Sequence, residues 1–257
     1  MIAEKLIAHR GWRNRYPENT LVAVEAAVNA GARHVEIDVQ LTADGIPVLC
    51  HDHLLQRVCG HDKNIHHCTF DQLKNLSAYE PERLGDRFKS TPLSSLADCV
   101  ELIARHSQVV LYVELKRQSI RKFGRDTMLN AVLPALEVIR NRCFLISFDC
   151  DILQIALHRD WNNIAPVLRS YRQAFTGALK RLSPPLMFCD HDLLDSKHTV
   201  TKLPYPVAVY EIGDYRLATS LLAQGAALVE TFLIGELIEQ DAAGMDINRG
   251  NSDEDAL

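Results

Sequence analysis

The stretch that decides the fold runs from residue 5 to residue 39 and reads KLIAHRGWRNRYPENTLVAVEAAVNAGARHVEIDV. Two short apolar runs, Lys5–Ala8 and Arg33–Val39, predict strands, and Thr20–Ala30 between them has apolar residues at helical spacing. Gly31 follows this helix directly, at the position where a glycine commonly ends one. The order strand, helix, strand predicts one unit of an α/β protein.

The same alternation continues almost to the end of the chain. Further strands are predicted at Pro47–Cys50, Val109–Leu115, Cys143–Phe148, Ile164–Leu168, Leu186–Cys189, Val207–Ile212 and Ala227–Glu230. Helical patterns occur at Ser94–Ala104, Asp126–Arg140, Cys150–His158 and Tyr215–Ala223. Because the strands read as nearly continuous apolar runs, we expect a parallel sheet that is covered on both faces. Roughly eight such units favour a closed (β/α)₈ TIM barrel, and no dinucleotide-binding glycine motif follows the first strand.

Two stretches interrupt the alternation. Residues 52–93 are polar and rich in histidine, which predicts a small insertion after the strand that ends at His51. Its Cys and His residues between positions 59 and 68 match no common zinc spacing, so we expect a solvated loop there. Residues 244–257 end in Asn-Ser-Asp-Glu-Asp-Ala-Leu and predict a disordered acidic tail after a barrel domain of residues 1–243.

Composition limits the class of protein further. The chain has 257 residues, 47% of them hydrophobic, and a net charge of −5, which argues against a nucleic-acid-binding protein. Seven cysteines without a disulfide-like spacing predict reduced thiols. No apolar run approaches the roughly 20 residues that span a bilayer, and no apolar leader is visible, so we expect a cytoplasmic protein without membrane insertion. Composition leaves the oligomeric state open.

Ionisable residues are concentrated where the predicted strands end. They are His9 and Arg10 after the first strand, Glu36 and Asp38 on the second, His51 after the third, and Glu114 and Lys116 on the fourth. Charge inside an apolar strand is costly unless it is paired or bound to a metal. The carboxyl ends of barrel strands are also where active sites form, so we expect a functional site at this end.

The residue types indicate phosphate chemistry. Glu36, Asp38 and Glu114 offer the hard oxygen ligands that Mg²⁺ or Ca²⁺ prefers. Arg10 and Lys116 supply positive charge for an anionic substrate, and a guanidinium matches a phosphate well. The two histidines suit a general acid and a general base. Together these groups predict metal-assisted attack on a phosphate ester.

Structural interpretations of the same charges stay open. Glu36 and Asp38 are also consistent with an ion-pair cluster that includes Arg10 and Arg33. Lys116 is likewise consistent with neutralising the glutamate two residues before it, which is compatible with phosphate binding. The segment before the first helix is a good helix start, with Asn19 or Thr20 as the N-cap.

Six blocks of the chain resemble the glycerophosphodiester phosphodiesterase family. They are Ala8-His9-Arg10-Gly11, Pro17-Glu18-Asn19-Thr20, Val35-Glu36-Ile37-Asp38-Val39, Thr42-Ala43-Asp44-Gly45, Val48-Leu49-Cys50-His51-Asp52 and Val113-Glu114-Leu115-Lys116. Each block alone is weak, but the ordered set is specific and covers the first half of the chain. The resemblance implies a TIM barrel that uses one divalent cation, Mg²⁺ or Ca²⁺, to hydrolyse a small-molecule glycerophosphodiester. Its products are glycerol 3-phosphate and an alcohol.

The resemblance also implies a role for each matched residue. His9 and His51 are the acid/base pair; Arg10 and Lys116 bind the phosphate; Glu36, Asp38 and Glu114 hold the metal; and Glu18 lies at the edge of the site. In the family, the glycerol 2-hydroxyl attacks the phosphorus and expels the alcohol. The cyclic phosphate that results is then opened by water.

The second half of the chain departs from the family pattern. The seventh barrel strand carries Tyr210-Glu211-Ile212-Gly213 where members commonly have Trp followed by Thr-Val-Asn, and Thr231-Phe232 replaces a Thr-Asp. These positions line the substrate side of the pocket, where we expect Tyr210 to form an aromatic wall. Two alternatives stay open: a different substrate such as a lysophospholipid or phosphoinositol ester, and a non-catalytic barrel that binds a phosphorylated ligand.

Overall fold

The computed structural model describes residues 2–254, and the side chains of residues 2–244. Within this part the strands are β1 Leu6–Ala8, β2 His34–Leu41, β3 Pro47–Leu49, β4 Val110–Leu115, β5 Cys143–Ser147, β6 Ile164–Pro166, β7 Met187–Asp190, β8 Val207–Tyr210 and β9 Leu228–Thr231. The α-helices are α1 Leu21–Asn29, α2 Gln56–Cys59, α3 Phe70–Leu73, α4 Pro81–Leu84, α5 Leu96–Ala104, α6 Arg117–Phe123, α7 Arg125–Leu136, α8 Cys150–His158, α9 Gly177–Leu182, α10 Tyr215–Ala223 and α11 Ile234–Glu254.

Eight of these strands are parallel and form a barrel. Their order is β6-β5-β4-β2-β1-β9-β8-β7. A parallel bridge between Val167 and Phe188 joins the two ends of this order. The predicted TIM barrel is therefore confirmed. Its strands lie within one residue of their predicted bounds, except that β6 and β8 end two residues early and β2 ends two residues late.

The predicted strand before His51 is not a barrel strand. β3 runs antiparallel to β2, with Val39 opposite Leu49. The chain therefore turns back on itself, and the backbone N–H of Cys50 donates to the carbonyl of Asp38 at 3.0 Å. His51 thus lies beside the second strand instead of ending a barrel strand of its own. A three-residue apolar run looks the same in either direction, so the sequence does not distinguish the two arrangements.

Alternation along the strands sorts the side chains into two layers. Leu6 and Ala8 belong to the large core between strands and helices, whereas Ile7 belongs to a smaller cluster with residues of β4, β5, β7 and β8. On β2, Val35 and Ile37 join the outer core. Side chains alternate along a strand, so Glu36, which lies between these two residues, and Asp38, which follows them, point into the barrel.

The insertion over residues 52–93 is a folded segment with its own small core. Leu55, Val58, Ile65 and Leu73 are buried in that core. The expectation of a solvated loop was wrong for part of it: His66 is buried and lies 3.0 Å from the Ser119 hydroxyl. The apolar residues around it, spaced irregularly along the chain, gave no periodic signal.

The last helix packs against the start of the barrel. Glu236 in its first turn accepts hydrogen bonds from Trp12 Nε1 and Arg15 Nε, both at 2.8 Å. The predicted tail of residues 244–257 falls partly on this helix and partly outside the described residues, so the division of the chain at residue 243 stays a prediction. None of the helices in the described part of the chain has the length and apolar character needed to cross a membrane.

The turn after His9-Arg10 depends on a glycine. Gly11 has φ +77°, and a Cβ there would lie 2.6 Å from the carbonyl carbon of Ala23. Gly45 has a similar φ of +78° but nothing within 4 Å of the same position. We expect Gly11→Ala to lower the free energy of unfolding by clearly more than Gly45→Ala, whose cost is the conformational strain of about 1 kcal/mol. Denaturant unfolding measures both, and equal losses would contradict the close approach.

Candidate active site

A cavity opens at the carboxyl ends of the barrel strands. It is lined by His9, Arg10, Glu36, His51, Glu114, Lys116, Ile146, Phe148, Val167, Phe188, Tyr210, Glu211 and Glu230. Seven of the nine residues predicted for the site are in this lining. The other two, Glu18 and Asp38, are buried and bond to residues that line it.

Asp38 holds the two cations of the site in place. Its Oδ1 accepts a hydrogen bond from Lys116 Nζ at 3.1 Å, and its Oδ2 lies 2.9 Å from Arg10 Nε. Burial alone would raise the pKa of Asp38, but Lys116 and Arg10 hold it well below its ordinary value. The carboxylate is therefore ionised. The predicted ion pair between Arg10 and Asp38 is present, but Arg33 makes no ion pair with the acidic residues of β2 among the described residues, and phosphate binding stays a prediction.

The segment before α1 supplies a further contact to Asp38. Thr20 is the N-cap, since its hydroxyl accepts from the backbone N–H of Ala23 at 3.3 Å. Asn19 has a left-handed φ of 55° and exchanges two hydrogen bonds with Asp38, at 2.8 and 2.9 Å. Asn19 therefore orients the carboxylate, a role that the capping interpretation of the sequence missed.

The three predicted metal ligands lie together. Glu36, Asp38 and Glu114 each offer a carboxylate oxygen, and these atoms lie within 4.8 Å of one another. Glu36 Oε2 accepts from the backbone N–H of Arg10 at 3.1 Å, while its Oε1 has no hydrogen-bond partner among the described residues. Burial raises the pKa of Glu36 and of Glu114. A divalent cation fits this set, because it would satisfy the buried oxygen and favour the ionised carboxylates.

His9 lies between two glutamates. Its Nδ1 is 3.4 Å from Glu211 Oε1, and its Nε2 is 3.8 Å from Glu36 Oε2. The ring stacks on Phe232 with centroids 5.2 Å apart. Burial, and then the charge of Arg10, lower the pKa of His9 well below its ordinary value. His9 is therefore neutral near pH 7 and able to accept a proton.

His51 is held by its neighbour in the chain. Its Nδ1 lies 2.6 Å from Asp52 Oδ1, and Arg57 Nε donates to the other oxygen of Asp52 at 2.7 Å. The hydrogen bond from His51 lowers the pKa of Asp52, so the carboxylate is ionised. This contact fixes the ring and leaves its second nitrogen for the cavity that His51 lines.

Glu18 connects the site to the insertion. Its Oε1 accepts from Arg10 Nη1 at 3.0 Å and from Arg57 Nη2 at 2.6 Å, and its Oε2 lies 2.9 Å from Arg13 Nε. Burial would raise the pKa of Glu18, but Arg10, Arg57 and Arg13 lower it to about 2. Glu18 therefore acts behind Arg10, as a support for the cation and not as a contact to the cavity.

Two glutamates of the lining were missed at the sequence level. Glu230 on β9 is 3% exposed, and burial together with the charge of Glu211 raises its pKa well above the ordinary value. A charged residue inside an apolar strand was the reason for predicting Glu36 and Glu114 as site residues. The same rule applies to Glu230 in β9 and would have identified it. Glu211 lies in a stretch that was singled out only for its departure from the family pattern.

The wall opposite the charged residues is apolar. Phe148, Val167, Phe188 and Tyr210 lie on it, at the ends of β5 to β8. Burial raises the pKa of Tyr210, so its hydroxyl is protonated near pH 7. Tyr210 thus lines the cavity, whereas its role as an aromatic wall for a substrate stays a prediction.

Comparison with known proteins decides the family. The family model described as the glycerophosphoryl diester phosphodiesterase family matches residues 9–207. The chain belongs to this family. A glycerophosphodiester phosphodiesterase of Bacillus altitudinis is 31% identical over 144 residues, which is 56% of the chain and 58% of that protein. The bovine glycerophosphodiester phosphodiesterase 1 is 29% identical over 167 residues, 61% of the chain and 49% of that protein.

The alignments to these relatives therefore span only about half of their length. Among solved structures, a phosphodiesterase of Oleispira antarctica in complex with the product sn-glycerol-3-phosphate superposes with a TM-score of 0.79. It is 26% identical and covers 93% of this chain and 96% of its own. A second structure, from Silicibacter pomeroyi, has a TM-score of 0.78 at 21% identity and shares the fold.

We expect Glu18→Gln to change how stability depends on pH. Because the folded-state pKa of Glu18 is about 2 and the ordinary value is 4.5, its stabilisation is complete above pH 4.5 and is lost as pH falls toward 2. The contribution is on the order of 3 kcal/mol. The variant should be less stable at pH 7, where it leaves Arg10, Arg13 and Arg57 undercompensated, and its stability should fall less on acidification.

Denaturant unfolding across this pH range measures both effects. Glu101→Gln is the matched control, because that side chain is 79% exposed and, among the described residues, is ion-paired only with Arg105, at 3.9 Å. The control should follow the unmodified protein at every pH. If acidification lowers the stability of Glu18→Gln by as much as that of the unmodified protein, the ionised Glu18 does not stabilise the fold in this way.

Proposed function

We propose that this protein hydrolyses glycerophosphodiesters to glycerol 3-phosphate and an alcohol, with one divalent cation, Mg²⁺ or Ca²⁺. The observation that carries the proposal is the convergence of two cations, two histidines and the carboxylates of Glu36 and Glu114 on one cavity, with Asp38 buried beside them. Membership of the family supports phosphodiester hydrolysis. The Oleispira antarctica phosphodiesterase, described with sn-glycerol-3-phosphate as its product, supports a small glycerol phosphate as one product here.

Arg10 and Lys116 are assigned to the phosphate. Both are cationic, both line the cavity, and Asp38 fixes both by contacts of 2.9 and 3.1 Å. Because they are held before the substrate arrives, little reorganisation is needed when the phosphate binds. Glu36, Asp38 and Glu114 would hold the divalent cation, which would supply further positive charge to stabilise the phosphate.

The two histidines are assigned opposite roles in proton transfer. His9 is neutral, so it accepts the proton of the glycerol 2-hydroxyl as that oxygen forms a bond to phosphorus. The bond from phosphorus to the head-group oxygen breaks, and His51 donates a proton to that oxygen. Asp52, at 2.6 Å from His51 Nδ1, stabilises the protonated ring that this role requires. Water then opens the cyclic phosphate with the two roles exchanged.

The direct test is the release of glycerol 3-phosphate by the purified protein. Glycerophosphocholine and glycerophosphoethanolamine serve as substrates, first with EDTA and then with added Mg²⁺ or Ca²⁺. We expect no release with EDTA and restored release with the metal. If neither substrate is cleaved with either metal, the assignment fails, and a lysophospholipid and a phosphoinositol ester should be assayed before the barrel is treated as non-catalytic.

Removing either histidine should abolish most of the turnover. We expect His9→Ala and His51→Ala each to lower kcat by about 10²–10⁴-fold, which is the usual contribution of a proton-transfer group. His61→Ala, which changes an exposed histidine of the insertion, is the matched control and should keep normal turnover. Unchanged unfolding midpoints would show that the loss is chemical. Normal turnover by either site variant would remove that histidine from the mechanism.

Glu114→Gln tests the cation ligands. The variant keeps the shape of the side chain but removes a negative charge from the carboxylate set, so the metal should bind more weakly. We expect turnover to need a higher Mg²⁺ or Ca²⁺ concentration, and direct titration to show a larger Kd for the metal. The exposed Glu101→Gln serves again as the control. An unchanged metal requirement would exclude Glu114 as a ligand.

A further inference from the structure

Three residues of the cavity lining each carry a buried polar atom that has no hydrogen-bond partner among the described residues. These atoms are His9 Nδ1, Glu36 Oε1 and Glu230 Oε1. The three residues are 6%, 1% and 3% exposed. Buried polar groups in folded proteins are nearly always paired. Three residues of one cavity lining with an unpaired atom therefore indicate that a ligand binds there.

The same three residues have the spacing of a metal site. One ligand atom each of His9, Glu36 and Glu230 lies within 4.8 Å of the other two. Glu36 belongs both to this set and to the set with Asp38 and Glu114. The two sets therefore adjoin and share one carboxylate. Carboxylate oxygens and an imidazole nitrogen all offer electron pairs, so the ligand that they fit is a cation.

Charge around the cavity also favours a second cation. Asp38 is paired with Arg10 and Lys116, and Glu114 is paired with Lys116. Glu230 has no salt bridge within the part of the chain that the structure describes. Glu36 likewise has no ion pair with a Lys or Arg side chain there, so these two buried carboxyl groups are the ones that a bound cation would pair.

We propose that His9, Glu36 and Glu230 form a second cation site beside the set of Glu36, Asp38 and Glu114. Its one nitrogen and two carboxylates select a transition ion such as Mn²⁺ or Zn²⁺, whereas the neighbouring set offers oxygen only and suits Mg²⁺ or Ca²⁺. The ion that fills the second site is therefore of a different class from the one expected at the first.

Occupation of this site has a consequence that rests on the proposed function. A cation bound to His9 takes up the nitrogen electron pair that otherwise accepts a proton. Filling the second site therefore inhibits hydrolysis. When Mg²⁺ occupies the first set and supports turnover, an added transition ion occupies the second set and suppresses turnover.

The test is the number of Mn²⁺ ions that metal-free protein binds. Titration with Mn²⁺, followed by the electron paramagnetic resonance of the free ion, counts the sites without using activity. We expect two sites in the unmodified chain and one in Glu230→Gln. Glu239→Gln changes an exposed glutamate of α11 and should keep two sites. Glu230→Asp, which keeps the charge but shortens the reach, should retain the second site with at least a tenfold larger Kd.

The number of bound Mn²⁺ ions distinguishes the two proposals. A single site in the unmodified protein overturns the second site. If that single site is lost in Glu114→Gln, the proposed function still stands. Two sites that both persist in Glu230→Gln also overturn it. If the protein binds no Mn²⁺ at all, both the cation of the proposed function and the second cation site are overturned. If Glu230→Gln is unfolded, Glu230→Asp replaces it, and an unchanged Kd in that variant overturns the proposal.

The inhibition is measured separately. With Mg²⁺ at a concentration that supports turnover, the turnover of glycerophosphocholine should fall as Mn²⁺ is added to the unmodified protein and to Glu239→Gln. In Glu230→Gln the fall should require at least a tenfold higher Mn²⁺ concentration. Two bound ions without this fall in turnover would keep the second site and overturn its inhibitory role.

Discussion

The buried charge of Asp38 is the constraint on which the site depends. A carboxylate on a central barrel strand is tolerated only when cations meet it, and Arg10 and Lys116 do so from the strands on either side. The three residues therefore fix one another: the carboxylate stays ionised because the cations are near, and the cations stay ordered because the carboxylate is ionised. The same contacts leave one face of each cation toward the cavity, where a phosphate can bind.

The insertion is part of the same arrangement. Arg57 on α2 reaches Asp52, which holds His51, and also Glu18, which holds Arg10. A segment that lies outside the barrel thus aligns a histidine from the β2–β3 hairpin with an arginine from the first strand. Glu18 is the point where these contacts meet. This explains why three arginines surround a buried residue that does not line the cavity.

The barrel and most of the site were predictable from the sequence because both follow local rules. Parallel strands covered on both faces give continuous apolar runs, and alternation along β2 places Glu36 and Asp38 in the interior. The direction of β3 was not predictable, because a run of three apolar residues does not indicate which strand it pairs with or in which direction. Asn19 was assigned to capping because its contact with Asp38 joins residues 19 apart in sequence, and only the folded chain brings them together.

The two sides of the cavity differ in how their acidic groups are paired. On the side of β1, β2 and β4, Asp38 and Glu114 are paired with Arg10 and Lys116, and both cationic side chains line the cavity. On the side of β8 and β9, burial raises the pKa of Glu211 and Glu230, and neither has a Lys or Arg partner among the described residues. The cationic side chains proposed to bind the phosphate therefore lie on the first side, where an anion is favoured. The departures from the family pattern at β8 and β9 lie on the second side, away from these cations.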